Sequence, residues 1–207
     1  MRYVKWGFWA VLFAIVATFL HYNLPRHDIV RIVGTEVRRV DFGENSIFWA
    51  TPDVGTANAT SRDVRFINTV RPNGKTLVFR NEDTGWGWPP YFKLDSSDLQ
   101  AQAESQISTQ ADPIWVSVTR YGWRSRWLSI FPNAVGLKVV PSPDTRIIPW
   151  ANIIILTLLV LILLTIRAMW RQFRERSIDP LIDDAGEAWD DAEEGAKGFF
   201  DRLFGRK

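Results

Sequence analysis

An uninterrupted apolar stretch from Ile147 to Ile166 constrains this chain more than any other feature of its sequence. Its twenty residues, IIPWANIIILTLLVLILLTI, include fourteen Leu, Ile or Val and no ionisable side chain. A helix rises about 1.5 Å per residue, so this length matches the roughly 30 Å hydrocarbon core of a bilayer. Trp150 and Trp170 bracket the stretch, as interfacial anchors do. The stretch therefore predicts a transmembrane helix within residues 146–170.

A second apolar run lies near the N-terminus, after Arg2 and Lys5. Two interpretations fit this pattern, a cleaved signal peptide and an uncleaved first transmembrane helix. No pair of small residues typical of a cleavage site follows the run, and Trp6 and Trp9 suit a membrane interface. We therefore favour a first transmembrane helix within residues 1–25.

Basic residues are concentrated just after the second apolar stretch, at Arg167, Arg171, Arg174 and Arg176. Because the positive-inside rule places such a flank in the cytoplasm, it places the C-terminus there. Two spans bring the N-terminus to the same side. We therefore predict a multi-pass membrane protein with both termini in the cytoplasm and residues 26–145 outside it.

Composition excludes several classes of site. The chain has no cysteine and only two histidines, His21 and His27, each close to a predicted membrane boundary. Disulfides, thiolate chemistry and common zinc sites are therefore excluded, and we favour a solvated or interfacial role for each histidine over haem or metal ligation. Residues 21–146 carry 15 Lys and Arg against 13 Asp and Glu, without the basic excess of a nucleic-acid-binding domain. We expect no cofactor, no metal and no nucleic-acid partner.

The outer segment, residues 26–145, reads as a β-rich domain with one short helix. Period-two alternation of apolar residues predicts strands, and Gly34 predicts a bulge in the first of them. The turn sequence RPNGK predicts a hairpin. The small polar residues 51–61 predict a loop. The Asn58 triplet within this loop fits a glycosylation sequon, which is a weak signal. Strand order is not visible, so both a barrel and a sandwich remain open. The predicted strands are residues 28–40, 62–69, 75–80, 114–118 and 130–140.

The short helix is predicted over residues 97–107. Ser97 and Gln100 fit a capping box at its start, and Leu99, Ala103 and Ile107 recur at the four-residue spacing of one apolar stripe.

Two sequence blocks are distinctive, GKTLVFRNEDTGWGWPPYFKLDSSDLQAQA (residues 74–103) and VTRYGWRSRWLSIFPNAV (residues 118–135). Within them, NEDTGWGWPPYFK and YGWR…FPNAV resemble an uncharacterised alphaproteobacterial family of small two-span membrane proteins of unknown function. The resemblance implies a protein of a bacterial inner membrane with a periplasmic domain. It supplies no catalytic residues.

The C-terminal segment, residues 171–207, is predicted to be a cytoplasmic tail with an amphipathic acidic helix that begins at Asp179 and Pro180. Acidic residues fill the first half of this helix. Phe199, Phe200 and Phe204 lie beside cations near its end, which suits docking at the membrane surface. Binding of the tail to a partner is the equal alternative.

Two acidic or hydroxyl motifs resemble catalytic ones. Glu82 and Asp83 could form a general acid/base pair or an oxygen-rich cation site, but adjacent carboxylates diverge in extended backbone, so we favour an ordinary turn. The serines of LDSSD, near Lys93, resemble a Ser-Lys dyad, but helix capping explains them better.

Aromatic and basic residues recur through the two blocks. We favour a core of Trp and Phe side chains with arginines at its rim. The alternative is a surface that binds a partner protein or a lipid headgroup, because Trp, Tyr and Arg dominate the energetics of protein interfaces. The set comprises Trp86, Trp88, Tyr91, Arg120, Trp123, Arg124, Arg126 and Trp127.

The function that these features predict is non-enzymatic. We expect an accessory or assembly subunit that docks on a larger inner-membrane protein complex through its periplasmic domain and transmembrane helices. The alternatives are a periplasmic hydrolase that uses Glu82 or Asp83 and a membrane sensor that relays an outer signal to the tail.

Overall fold

A computed structural model describes residues 2–41 and 61–182, with residues 184, 189, 192, 197 and 205 of the tail. The chain divides into two compact units, Met1–Asn152 and Ile153–Lys207. Residues 51–60 of the loop predicted over 51–61, the sequon within them, and Phe199, Phe200 and Phe204 lie outside the described residues; Ser61 begins a strand. The elements are helix α1 (Arg2–Asn23), strands β1 (Arg26–Asp41), β2 (Ser61–Val70) and β3 (Thr76–Asn81), helix α2 (Ser96–Ser105), strands β4 (Trp115–Tyr121) and β5 (Asn133–Val140), and helix α3 (Trp150–Phe173).

The strands close into a barrel in the order β1-β2-β3-β5-β4, which decides between the two predicted architectures. The long strand β1 makes closure possible, because residues 26–31 pair with β4 and residues 31–41 pair with β2. A register shift between Ile32 and Gly34 marks the bulge predicted there, and such bulges bend a strand at a barrel corner. The ring is completed by a parallel contact of Arg80 with Asn133.

The barrel interior is filled by the apolar residues that alternate along the strands. Ile67 and Phe79 face each other across the predicted hairpin of β2 and β3, and both are fully buried. Leu99 and Ala103 of α2 join this core, so the short helix covers part of the barrel. The described core contains phenylalanine but no tryptophan, so the prediction of a tryptophan-rich core is wrong.

Helix α2 corrects the predicted capping. It starts at Ser96, one residue early, and no side chain caps it from the N-cap position. The Asp83 carboxylate takes that role instead, accepting from the Ser96 N–H at 2.8 Å and from the Ser96 hydroxyl at 2.7 Å. Gln100 is buried and bonds Asn81, and Ile107 lies beyond the helix, bridged to Ile32.

Two described helices, Arg2–Asn23 and Trp150–Ile182, are long and apolar enough to cross a membrane. The second begins later than predicted, at Trp150, because residues 146–149 are not helical and a proline disfavours helical backbone at the residue before it. No new helix begins at Asp179, contrary to prediction: α3 continues through a π-helical stretch, Arg174–Ile178. In this stretch the Asp179 N–H bonds the Arg174 carbonyl, and the stretch lies just before Pro180, which has no N–H to donate and whose ring crowds the preceding turn of an α-helix.

Candidate functional site

Two loops of the barrel contact the end of α1. We call residues 82–95 the tryptophan-proline loop and residues 122–132 the arginine-tryptophan loop. The Tyr91 hydroxyl donates to the Asn23 carbonyl, and the Gly122 N–H donates to the Tyr22 carbonyl at 2.9 Å. The last carbonyls of a helix have no partner within it, so the two loops supply the missing donors.

Aromatic contacts reinforce this junction. The Trp88 ring stacks on Phe19 at 5.4 Å, and the Trp123 ring meets Tyr22 edge-on at 5.2 Å. Trp123 Nε1–H donates to His21 Nδ1 at 2.8 Å. Each aromatic pair contributes about 0.5–1.5 kcal/mol beyond its area burial, so the last turn of α1 is held by both loops.

The predicted aromatic and basic set divides into two groups in the structure. The exposed group includes Trp127 at 97%, Trp86 at 84% and Trp88 at 61% exposure. Arg124 and Arg126 are also exposed, and the Arg124 guanidinium lies 4.2 Å from the centre of the Phe131 ring. These exposed side chains lie on the two loops and are of the types that protein partners recognise.

The second group is structural. Arg120 is paired through Nε with Asp28 Oδ2 at 2.5 Å and donates to the Gly122 carbonyl. Tyr91 is stacked on Tyr121 at 4.6 Å. Together with Trp123, these residues join the barrel to α1 rather than face a partner.

A buried polar cluster joins the two sequence blocks. Arg80 Nη1 lies 3.0 Å from Glu82 Oε2, and both side chains are buried. Asn133 Oδ1 accepts from the Glu82 N–H, while its Nδ2 donates to the Glu82 carbonyl and to the Tyr121 hydroxyl, all within 3.0 Å. Arg80 also hydrogen-bonds Tyr22, so the cluster reaches α1.

Lys93 extends this cluster. Its Nζ donates to Asn81 Oδ1 and, at 2.7 Å, to the Ala134 carbonyl. Burial lowers the pKa of Lys93 to about 8 from its usual 10.5. Burial also raises the pKa of the Tyr91 and Tyr121 hydroxyls.

These shifts predict how stability changes with pH. With a folded pKa of about 8, Lys93 holds fewer protons in the folded chain than in the unfolded chain between about pH 8 and 10.5, so its contribution to stability rises with pH in that window. Above about pH 10 the raised tyrosine pKa values act in the opposite direction.

We expect full-length wild type to gain about 1–2 kcal/mol of stability relative to Lys93→Met between about pH 7.5 and pH 9.5. Thermal unfolding in one detergent measures this difference. Lys75→Met, at the exposed hairpin turn, should follow the wild-type profile. Parallel profiles for wild type and Lys93→Met would contradict the assignment.

The two candidate carboxylates do not form an acid/base pair. Glu82 points into the cluster against Arg80, whereas Asp83 binds the start of α2. The Lys93 amine donates to Asn81 and the Ala134 carbonyl rather than to a serine. The geometry therefore supports structural roles for Glu82, Asp83 and Lys93.

An apolar groove of about 610 Å³ runs along α1. Its walls are apolar side chains from three turns of the helix, closed at one end by the two tryptophans that contact α1. The lining includes Val11, Ala14, Ile15, Thr18, Trp88 and Trp123. A groove of this kind accepts an apolar occupant.

Sequence reasoning missed the groove and the role of Asn133. The groove depends on loop tryptophans about seventy and one hundred residues away from α1 in the chain, which periodicity cannot reveal. A polar residue in the apolar FPNAV sequence was an available signal for Asn133.

The predicted anchors Trp6, Trp9, Trp150 and Trp170 are exposed on the two apolar helices.

Comparison with known proteins places these blocks in a family. Residues 1–174 match the family described as "Protein of unknown function (DUF1523)". An "Uncharacterized protein" of Haemophilus influenzae is 35% identical over 147 residues, which cover 70% of this chain and 80% of the relative. No solved structure matches the chain. The predicted membership of a family of unknown function is thus confirmed, and the chain belongs to the DUF1523 family.

Proposed function

We propose that this protein is a non-enzymatic accessory or assembly subunit, anchored in a bacterial inner membrane, that docks on a larger membrane-protein complex. The contact that we assign to this role is the groove on α1. Its occupant is a transmembrane helix of the partner. The exposed tryptophans and arginines of the two loops extend the contact into the periplasm.

The groove is the single observation that carries the proposal. The groove is continuous from α1 to the extramembrane loops. Ala14 and Thr18 of α1 line one part of it, and Trp88 and Trp123 of the loops close one end of it. A partner that crosses the membrane beside α1 would meet both parts. A water-soluble partner would meet only the loops.

The spacing of small residues on α1 favours a helix as the occupant. Gly7, Ala10, Ala14 and Thr18 recur at intervals of three and four, which places them on one side of the helix. Small residues let two helices approach closely in a membrane, where packing rather than hydrophobicity drives association. A Cβ at Gly7 would meet nothing within 4 Å, so this side of α1 is open.

Charge at the helix ends supports the proposed orientation. Arg2 and Lys5 lie at the start of one apolar helix, and Arg167 and Arg171 lie toward the end of the other. The positive-inside rule assigns both ends to the cytoplasm and the barrel to the periplasm.

A sensor role would depend on the tail beyond residue 182, nearly all of which lies outside the described residues. No contact of the described residues favours that role.

Filling the groove tests the proposal. Ala14→Leu together with Thr18→Leu places larger side chains where the partner helix should lie. Overpacking a well-fitted contact costs about 1–3 kcal/mol, so we expect recovery of the partner with a tagged copy to fall about tenfold or more. The measurement is purification in mild detergent at native expression level, with quantitative mass spectrometry.

The matched control is Phe13→Trp together with Val16→Leu. These changes add the same bulk at two positions on the opposite side of α1, and neither position lines the groove. The control should retain the partner. Equal recovery from both double variants, or elution of wild type alone, would refute docking through the groove.

A further inference from the structure

We propose that a second cavity binds the headgroup of an anionic phospholipid. The cavity measures about 530 Å³ and is separate from the groove on α1. It lies between strands β1, β4 and β5 and the segment that leads from β5 into α3. Cavities of this size accept small-molecule ligands.

Strand register builds the polar floor of the cavity. His27 of β1 pairs with Thr119 of β4, and Ser117 of β4 pairs with Lys138 of β5. These four side chains therefore lie together on the surface that lines the cavity. Hydroxyl, imidazole and ammonium groups are all donors suited to phosphate oxygens.

The cations of the cavity are available to a ligand. Arg146 joins Lys138 and His27 in the lining. Within the part of the chain that the structure describes, none of these three side chains forms an ion pair or a hydrogen bond. No carboxylate lines the cavity among the described residues. Asp28, next to His27, has both oxygens engaged, by Arg71 and Arg120.

The apolar part of the lining indicates an amphiphile rather than a free anion. Ile147, Ile148 and Trp150 contribute to the cavity, and Trp150 is the first residue of α3. Tryptophan at the end of a spanning helix lies at headgroup level. A phospholipid at this depth presents its phosphate to Lys138 and Arg146 and its glycerol backbone to the apolar side chains.

A neighbouring cavity of about 380 Å³ shares His27, Thr145 and Ile147 with the first. Asn152 lines it, and the Asn152 Oδ1 atom is buried without a hydrogen-bond partner. A buried acceptor of this kind requires a donor from water or a ligand. The hydroxyls of a phosphatidylglycerol headgroup provide such donors, so the two cavities together fit this lipid.

This inference rests on the membrane anchoring in the proposed function. The test uses the purified full chain in mild detergent and dioctanoyl phosphatidylglycerol as the probe, with binding measured by calorimetry. Lys138→Gln together with Arg146→Gln should weaken binding on the order of tenfold or more, because each cation near a headgroup contributes. Lys75→Gln together with Arg39→Gln, which changes the same charge at exposed positions outside the cavity, should bind as wild type does.

Three results would overturn the assignment. The first is an affinity for phosphatidylcholine equal to that for phosphatidylglycerol. The second is an equal loss of affinity in both double variants. The third is binding of glycerol 3-phosphate as tight as binding of the lipid, which would identify a free phosphate ester as the occupant. Flotation with vesicles reports anchoring separately. A chain that floats without headgroup preference refutes this inference alone, whereas a chain that does not float refutes the anchoring.

Discussion

Replacement of Glu82 by alanine is expected to lower the free energy of unfolding by about 3–5 kcal/mol, because the substitution leaves a buried guanidinium without its carboxylate. Arg80 and Glu82 are 3.0 Å apart, and both side chains are buried. Breaking such a pair from one side costs more than the pair itself contributes, since the remaining charge stays out of water. Thermal or denaturant unfolding of the full chain in detergent measures the change.

The control is the double variant Arg80→Met with Glu82→Ala. Removing both charges avoids the unpaired guanidinium, so this variant should be more stable than Glu82→Ala alone. A hydrolase that used Glu82 would show the opposite pattern, with loss of activity at unchanged stability. Wild-type stability in Glu82→Ala would therefore contradict the structural role.

Asn133→Ala should lower the free energy of unfolding by about 2–4 kcal/mol, the second-largest expected effect. The fully buried Asn133 amide bonds both the N–H and the carbonyl of Glu82 and also the Tyr121 hydroxyl. Alanine leaves these groups buried without partners, and an unsatisfied buried group costs about 1–3 kcal/mol. Unfolding in the same detergent measures the loss.

Asn68→Ala is the matched control. Asn68 also lies on a strand, and in the part of the chain described its side chain forms no hydrogen bond, so its removal should change stability by about 0.5 kcal/mol or less. If the two alanine variants unfold alike, Asn133 does not hold the tryptophan-proline loop.

The strands were predictable because alternation along one strand is a local property. The alternating pattern predicts that Val116 and Val118 lie on one buried face of their strand, and both are buried in the barrel. Closure was not predictable, because it depends on β1 pairing with β2 and with β4 through different halves. No local pattern specifies which strands share such a long partner.

The junction at α1 shows where sequence reasoning stops. Trp86 and Trp88 were expected either in a core or on a partner surface, and local composition cannot choose between these environments. The structure leaves both exposed, because residues of the strands and of α2, among them Phe79 and Leu99, fill the barrel core. Glu82 and Asp83, adjacent in sequence, diverge to Arg80 and Ser96, and partners this specific follow only from the folded chain.

Photocrosslinking in intact cells tests the central claim most directly, that a partner helix covers the groove on α1. A photoreactive amino acid replaces Ala14, which lines the groove, or Val16, which does not. Docking predicts a light-dependent adduct between position 14 and one membrane protein. Mass spectrometry should map this adduct to an apolar segment of about 18 residues or more in that protein. Position 16 should give little adduct. Adducts that are equal at both positions, or adducts at position 14 only with lipid or with a second copy of this chain, would contradict the account.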